Sequence, residues 1–272
     1  MIRLALIAVF AACLAAPATA QDAALRELST NADGRGWEAV GRLDLGRGGF
    51  CTATLVEPQL VLTAAHCLFD RDTGQRIDAS EMLFMAGLRN GRAEAYRGVR
   101  RAVAHPDYAF DSDTPLQRVA SDLALIELDQ AISLPSIRPL ELDRNAQAGA
   151  HVGVVSYARA RAEAPSLQEL CRVLGRQSGV MVLSCAVDFG ASGAPVFTNE
   201  FGAPRIVSVV SAMAELGAEP VALSASLRDQ IGVLRQALSA QSPPEVGGSL
   251  SARRAVPGDG SRNEIGARFI RP

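Results

Sequence analysis

The chain of 272 residues predicts an all-β fold, because short strand-like runs alternate with turn residues along most of its length. Residues 39–45 alternate apolar and polar side chains, as expected for a strand with one buried face. Residues 123–128 form an apolar run typical of a buried strand. Many short strands at near-regular spacing indicate a sandwich or a barrel, and periodicity does not choose between the two.

Both halves of the chain contain short predicted strands separated by turn residues. The predicted strands are 39–45, 51–56, 59–63, 82–86, 96–104 and 123–128 in the first half, and 151–157, 170–174, 180–185, 195–197, 205–211 and 221–224 in the second. Residues 107–120 are polar and loop-like, and residues 131–143 form the predicted connection between the halves. Residues 227–238 carry apolar side chains at helical spacing and predict a C-terminal helix.

The two ends of the chain follow other patterns. Residues 1–20 combine Arg3, an apolar run and a small-residue cleavage pattern, which together predict a secretory signal peptide. Residues 21–36 read as an N-terminal arm or a short propeptide, and residues 241–272 are rich in Pro and Gly and predict a flexible tail. We therefore expect a secreted or periplasmic protein, with no stable membrane insertion once the signal is cleaved.

Composition narrows the classes of function. The formal net charge of −2, with 48% hydrophobic and 21% charged residues, is an ordinary globular balance that gives no sign of a nucleic-acid partner. Without the signal, four cysteines remain: Cys51, Cys67, Cys171 and Cys185. An even number in an exported chain indicates disulfides, with three possible connectivities, and free buried thiols are the alternative. No metal site is predicted, because a zinc site is disfavoured by the lack of a Cys-x-x-Cys pair.

Three separated motifs carry the chemistry. The stretch Gly190-Ala-Ser192-Gly-Ala-Pro reads as a tight turn that presents one hydroxyl, although such a turn alone also suits an ordinary loop. His66 lies in Leu-Thr-Ala-Ala-His-Cys, and Asp122 heads the run Asp-Leu-Ala-Leu-Ile. A serine hydroxyl needs a base to take its proton, and the base needs a carboxylate to fix its tautomer. The chain order His, Asp, Ser also differs from the Ser, Asp, His order of α/β-hydrolases.

On these motifs, residues 37–240 resemble the trypsin/chymotrypsin-like serine proteases, in particular secreted bacterial members. The resemblance implies two six-stranded Greek-key β-barrels, about 37–130 and 131–225, followed by the C-terminal helix, with the site in the cleft between them. It implies His66 as general base, Asp122 as the orienting carboxylate and Ser192 as nucleophile, with the amides of Gly190 and Ser192 as the oxyanion hole. It implies protein or peptide substrates and no cofactor, and we expect a monomer.

The resemblance also bears on the cysteines and the other histidines. We favour the disulfides Cys51–Cys67 and Cys171–Cys185, of which the first is implied by the resemblance. His105 precedes Pro106 and is predicted to be a surface or turn residue, and His151 is predicted to be structural.

Departures from the family pattern affect activation. Ala191 stands where the family commonly has Asp, which in the familiar zymogens receives a new N-terminal ammonium after cleavage. The chain also lacks an Ile-Val-Gly-Gly start. We therefore hypothesise that local packing holds the oxyanion loop. A catalytically silent homologue that binds peptides is the alternative reading.

Specificity is predicted from position relative to Ser192. Ala186 and Val187 are expected near the base of the primary pocket, with Asp188 at its rim. Ser211 is expected to begin a substrate-pairing strand that continues through Met213. No carboxylate stands at the expected pocket base, so we predict no strong preference for basic P1 residues. Val187, Val210 and Met213 indicate a modest apolar pocket, so we predict small-to-medium apolar P1 residues.

Overall fold

The computed structural model describes residues 24–46, 49–143, 146–199, 202–227 and 230–241. The predicted signal peptide, and the predicted tail from residue 242 onward, lie outside the described residues. The strands are β1 (Arg26–Glu27), β2 (Val40–Asp44), β3 (Phe50–Glu57), β4 (Leu60–Thr63), β5 (Leu83–Ala86), β6 (Ala95–Ala104), β7 (Ala124–Leu128), β8 (Glu141–Leu142), β9 (His151–Ala158), β10 (Arg161–Gln177), β11 (Val180–Leu183), β12 (Pro195–Thr198), β13 (Arg205–Leu216) and β14 (Glu219–Ser226). The helices are α1 (Pro115–Ala120) and α2 (Gln230–Ala240), with 3-10 turns at Ala65–Leu68 and Ala79–Glu81.

Two closed antiparallel barrels, each of six strands, form the body of the protein. The first has the strand order β2-β3-β4-β7-β6-β5, and pairing of β5 with β2 closes it. The second runs β10-β11-β14-β13-β12-β9 and is closed by pairing of β9 with β10. The short strands β1 and β8 add to β10 and β13 of the second barrel. This arrangement confirms the predicted chymotrypsin-like fold.

Each barrel is filled by the apolar side chains that the strand pattern points inward. Leu43, Leu55 and Phe84 of the first barrel are fully buried, and so are Leu183 and Val196 of the second. Each such side chain contributes about 1.5–3 kcal/mol of hydrophobic stabilisation when removed from water. The barrels are therefore rigid supports for the loops that meet between them.

A buried tyrosine joins the two barrels. The Tyr157 N–H of β9 donates to Thr52 Oγ1 of β3 over 3.0 Å, and the Tyr157 hydroxyl donates to the Leu88 carbonyl over 2.9 Å. The rings of Trp37 and Phe197 pack with centroids 4.4 Å apart. These contacts fix one barrel against the other along the cleft.

The strands predicted in both halves are present, although β13 and β14 extend beyond the predicted 205–211 and 221–224, and the short strands β1 and β8 were not predicted. Strand β10 is much longer than the predicted 170–174, because it pairs with β9, β11 and β1 in turn. Residues 115–120, predicted as loop, form α1, whose first residue Pro115 is favoured there because the first helical N–H has no intrahelical acceptor.

The C-terminal helix and the N-terminal arm both pack on the body. Helix α2 overlaps the predicted range 227–238 and buries Leu234 and Leu238 against the first barrel. Leu28 of the arm is fully buried, and its N–H donates to the Pro165 carbonyl over 2.8 Å. Both helices of the described ranges fall short of what a membrane span requires.

Candidate active site

A buried carboxylate holds the imidazole of His66 at the end of the first barrel. His66 lies in the 3-10 turn that follows β4, and Asp122 follows α1 at the entrance to β7. His66 Nδ1 lies 2.7 Å from Asp122 Oδ2, and the His66 N–H donates to Asp122 Oδ1 over 2.8 Å. The Asp122 side chain is only 4% exposed, so these charge-assisted hydrogen bonds are shielded from water.

A third donor completes the coordination of this carboxylate. Ser211 Oγ of β13 donates to Asp122 Oδ2 over 2.5 Å, so the second barrel supplies a group to an acid of the first. An ionised carboxylate only accepts hydrogen bonds, and His66 therefore carries its proton on Nδ1. In a neutral imidazole with this tautomer, Nε2 is the proton acceptor that a general base requires.

Ser192 lies on the turn between β11 and β12, and it lines the same cavity as His66, Asp122 and Ser211. This cavity has a volume of ≈650 Å³. Within the described ranges, the imidazole makes one hydrogen bond to another side chain, that of Asp122, so none joins it to the Ser192 hydroxyl. Catalytic hydrogen bonds are often long in unliganded sites and tighten when substrate binds.

Two main-chain donors on this turn have no acceptor within the described part of the chain: the amides of Gly190 and Ser192. Their neighbours are engaged, since the Ala191 N–H donates to the Asp188 carbonyl over 2.9 Å and the Gly193 N–H to the Val210 carbonyl over 2.8 Å. Gly190 is itself buried. Free amides at a buried turn beside a serine are the groups that stabilise an oxyanion.

Glycine is required at two positions of the turn. Gly190 has φ +100 and Gly193 has φ +81, a region that L side chains rarely adopt. A Cβ on Gly193 would lie 2.1 Å from Thr63 Oγ1 and 2.2 Å from the Thr52 carbonyl oxygen. The turn therefore packs directly against the backbone of β3.

The predicted specificity residues are placed unevenly around the cavity. Val187, Ser211 and Met213 line it, together with the rim residue Asp188. Ala186 lies outside the lining and is exposed, with its N–H donating to Gln168 Oε1 over 2.8 Å. The rest of the wall includes Val210 of the predicted apolar pocket and Ala212 of the predicted substrate-pairing strand. It also includes residues that were not predicted from the sequence: Tyr108, Phe110, Pro115, Arg118, Val119 and Leu223.

Phe189 stands at the boundary between this cavity and a second one of ≈340 Å³, which also reaches His66 and Gly190. Phe189 is 46% exposed, and the guanidinium carbons of Arg71 and Arg159 lie 5.6 and 5.1 Å from its ring centroid. Such cation–π contacts favour this position of the ring without burying it. Phe189 therefore separates two parts of the cleft.

Both favoured disulfides are present. Cys51–Cys67 ties β3 to the turn that carries His66, and Cys171–Cys185 joins β10 to the residue before Ala186. The sulfurs of Cys51 and Cys67 lie near a ring nitrogen of His66, but two bonded sulfurs are not thiolate ligands, so this group does not form a metal site.

The prediction of a surface position for His105 is wrong, although the residue does lie in a turn. Its side chain is only 5% exposed, and its Nδ1 accepts from the Asp107 N–H over 3.2 Å. Burial lowers the pKa of His105, and the nearby Asp107 carboxylate raises it by a smaller amount. His151 begins β9 and is exposed.

Two barrels with a His–Asp pair and a turn serine at their junction define the class of chymotrypsin-like serine proteases. The Trypsin family model matches residues 29–214, more than half of the chain, and the chain belongs to that family. A stretch of 105 residues is 33% identical to the Suppressor of tumorigenicity 14 protein homolog of Bos taurus. That match covers 35% of this chain, and the chain spans only 11% of that relative.

Solved structures show the same fold. A Glu endopeptidase in complex with MPD superimposes with a TM-score of 0.65 at 15% identity, over 81% of this chain and 98% of the other. The thermostable serine protease AL20 from an extremophilic microorganism gives a TM-score of 0.59 at 17% identity, over 75% and 99% of the two chains.

Proposed function

We propose that this protein is an exported serine endopeptidase that cleaves peptide bonds through an acyl-enzyme intermediate. The observation that carries the proposal is the meeting of these groups in one cleft. Ser192 and an imidazole fixed by Asp122 line the ≈650 Å³ cavity, and Gly190 lines the adjoining cavity that also reaches His66. Within the described residues, the amides of Gly190 and Ser192 have no acceptor. Neither a metal nor an organic cofactor is needed for this chemistry.

Each step has a group to perform it. Ser192 Oγ attacks the scissile carbonyl carbon while His66 Nε2 takes the hydroxyl proton, and Asp122 stabilises the imidazolium that forms. The carbonyl oxygen becomes an oxyanion held by the amides of Gly190 and Ser192. His66 then gives its proton to the leaving amine, and water attacks the ester by the reverse sequence.

An extended peptide has an open strand edge on which to bind. Residues 212–216 of β13 pair with β14 on one side, and on the other side they pair with none of the described strands. Main-chain pairing along this edge would supply affinity, and the neighbouring cavity would select side chains. The expected substrates are therefore extended protein or peptide segments.

The cavity wall supports the predicted preference for small-to-medium apolar P1 residues. Val187, Val210 and Leu223 contribute apolar surface to this wall. A peptide-library profile should be dominated by Ala, Val and Leu at P1. Predominance of Arg, Lys or Glu would contradict this part of the proposal.

A fluorophosphonate probe, which reacts with activated serines, tests the main proposal. Labelling is expected for the parent and not for Ser192→Ala, and His66→Ala should slow it by orders of magnitude because the proton acceptor is lost. A folded parent that stays unlabelled while still binding peptides would instead support a silent, peptide-binding homologue. Location in the periplasm or medium, and the monomeric state, remain predictions that cell fractionation and light scattering would check.

A further inference from the structure

The oxyanion turn lacks the charged group that the family commonly uses to fix it. Ala191 is fully buried at that position. Every main-chain carbonyl from Phe189 to Ser192 nevertheless accepts a hydrogen bond. Two of these four hydrogen bonds come from one residue of the other barrel. That residue is Thr52 of β3.

Thr52 is bound to the turn through both its side chain and its main chain. Its hydroxyl donates to the Gly190 carbonyl over 2.9 Å, and its N–H donates to the Ser192 carbonyl over 2.8 Å. The same hydroxyl accepts the Tyr157 N–H over 3.0 Å, and the Thr52 carbonyl accepts from Thr63 Oγ1 over 2.9 Å. With no exposed surface, Thr52 has no water to replace these partners.

The remaining carbonyls of the turn are held by the turn's own barrel. The Phe189 carbonyl accepts the Arg159 N–H over 2.6 Å, and the Ala191 carbonyl accepts the Ala194 N–H over 3.0 Å. In a trans peptide the N–H points opposite to the C=O. The carbonyls of Phe189 and Ala191 share their peptide groups with the N–H of Gly190 and of Ser192. Fixing these carbonyls therefore directs the two N–H groups away from the donors that bind the carbonyls. The bonds from Thr52 fix the next peptide group in each case, through the carbonyls of Gly190 and Ser192.

We propose that Thr52 is a positioning residue, whose hydroxyl holds the oxyanion turn in its donor-ready conformation in place of a buried carboxylate–ammonium pair. This inference rests on the proposed peptidase function. It makes assembly of the oxyanion hole independent of any α-amino group, because all the anchoring groups described are uncharged. The activity should then depend neither on the protonation nor on the processing of the N-terminus.

Three variants test the role of the hydroxyl. Thr52→Val keeps the shape of the side chain and removes the hydrogen bonds of its hydroxyl, which join it to the Gly190 carbonyl and to the carbonyl and N–H of Tyr157. Thr52→Ser restores the hydroxyl. Thr54→Val is the matched control, because Thr54 lies two residues along β3, is 1% exposed, and has a side-chain oxygen with no hydrogen-bond partner among the described residues. Thermal melts establish that each variant is folded before kinetics are compared.

The kinetic readout separates positioning from general stability. Thr52→Val should lower kcat by about 10- to 100-fold with KM changed less than about 2-fold, approaching the loss of one oxyanion donor. Affinity for a peptide aldehyde, whose adduct oxygen occupies the hole, should fall by a similar factor, while affinity for a non-reactive product peptide stays the same. Thr52→Ser should recover to within about 3-fold of the parent, and Thr54→Val should match the parent.

Two results would overturn the role of Thr52: a folded Thr52→Val variant with parental kcat, or a Thr52→Ser variant as impaired as Thr52→Val. If Thr52→Val does not fold, the parent with an N-terminal extension of several residues serves instead. Its kcat should equal that of the chain starting at Gln21 from pH 7 to pH 10, and loss of activity on extension would contradict the inference. Failure of the peptidase proposal itself has a different signature, because parent and Ser192→Ala would then hydrolyse peptides equally.

Discussion

Ser211 Oγ donates a hydrogen bond of 2.5 Å to Asp122 Oδ2, the same carboxylate oxygen that is bonded to His66 Nδ1. The hydroxyl therefore helps to orient the carboxylate beside the imidazole, and it couples the second barrel to the His66–Asp122 pair of the first. The sequence predicted Ser211 only as the start of a substrate-pairing strand. Its side chain instead belongs to the hydrogen-bond network of the proposed base.

Removing this hydroxyl should weaken catalysis without abolishing it. We expect Ser211→Ala to lower kcat/KM by about tenfold, equivalent to about 1.4 kcal/mol, which is near the lower value for a hydrogen bond to a charged group. Steady-state kinetics on a peptide substrate measure the change. Ser208→Ala is the matched control, since that fully buried serine of β13 donates to the Ala225 carbonyl and should leave kcat/KM at the parental value. Equal kcat/KM for Ser211→Ala and the parent would show that the contact is catalytically idle.

The features predicted from the sequence were those set by local pattern. Alternating apolar residues marked the strands because a barrel strand has one face inward. His66, Asp122 and Ser192 were recognisable because the short motifs around them resemble those of the trypsin/chymotrypsin-like serine proteases. Strand β10 was underestimated because Pro165 and the polar residues around it have low strand propensity, and only pairing with β1 and β9 stabilises that part.

The contacts missed by the sequence join residues that are far apart in the chain. The bond from Thr52 to Gly190 spans 138 residues, and the bond from Ser211 to Asp122 spans 89. A threonine in a predicted strand looks like any other β-branched residue, so the neighbouring sequence does not indicate which distant group its hydroxyl binds. The helix α1 did have a local signal, Thr114 followed by Pro115, which was outweighed by the polar composition around it.

Substitution of Gly193 should abolish activity by displacing the oxyanion turn. In Gly193→Ala the new Cβ would meet Thr63 Oγ1 and the Thr52 carbonyl at distances that require one backbone to move. We expect a loss of more than about 100-fold in kcat, because misplacement of the reacting groups by 1 Å suffices for that. Gly217→Ala is the control, since Gly217 has φ +68 and no atom within 4 Å of a built Cβ. It should cost only about 1–2 kcal/mol of stability, as expected for a left-handed residue, and retain activity.

Mild acid should destabilise the protein through His105. Burial lowers the pKa of His105 in the folded state. Below about pH 6.5 the unfolded chain therefore binds a proton on this imidazole that the folded chain does not. This contribution to stability is present above that pH and is lost as the pH falls toward the folded pKa. Urea unfolding at pH 7.5 and 5.5 should show a smaller decrease in His105→Gln than in the parent. The exposed His151→Gln variant should keep the parental decrease, and a decrease unchanged in His105→Gln would contradict the assignment.

The N-terminal arm should prove to be part of the folded body and not a removable propeptide. Leu28 is fully buried in the main hydrophobic core cluster, whereas Leu25, three residues earlier, is 38% exposed. Leu28→Ala should lower the free energy of unfolding by about 2–5 kcal/mol through lost burial and the cavity left behind. Leu25→Ala should change it by less than about 0.5 kcal/mol, as is usual for surface positions. If removal of residues 21–36 by a protease left both stability and kcat unchanged, the arm would be dispensable, and Leu28 would owe its burial to local folding alone.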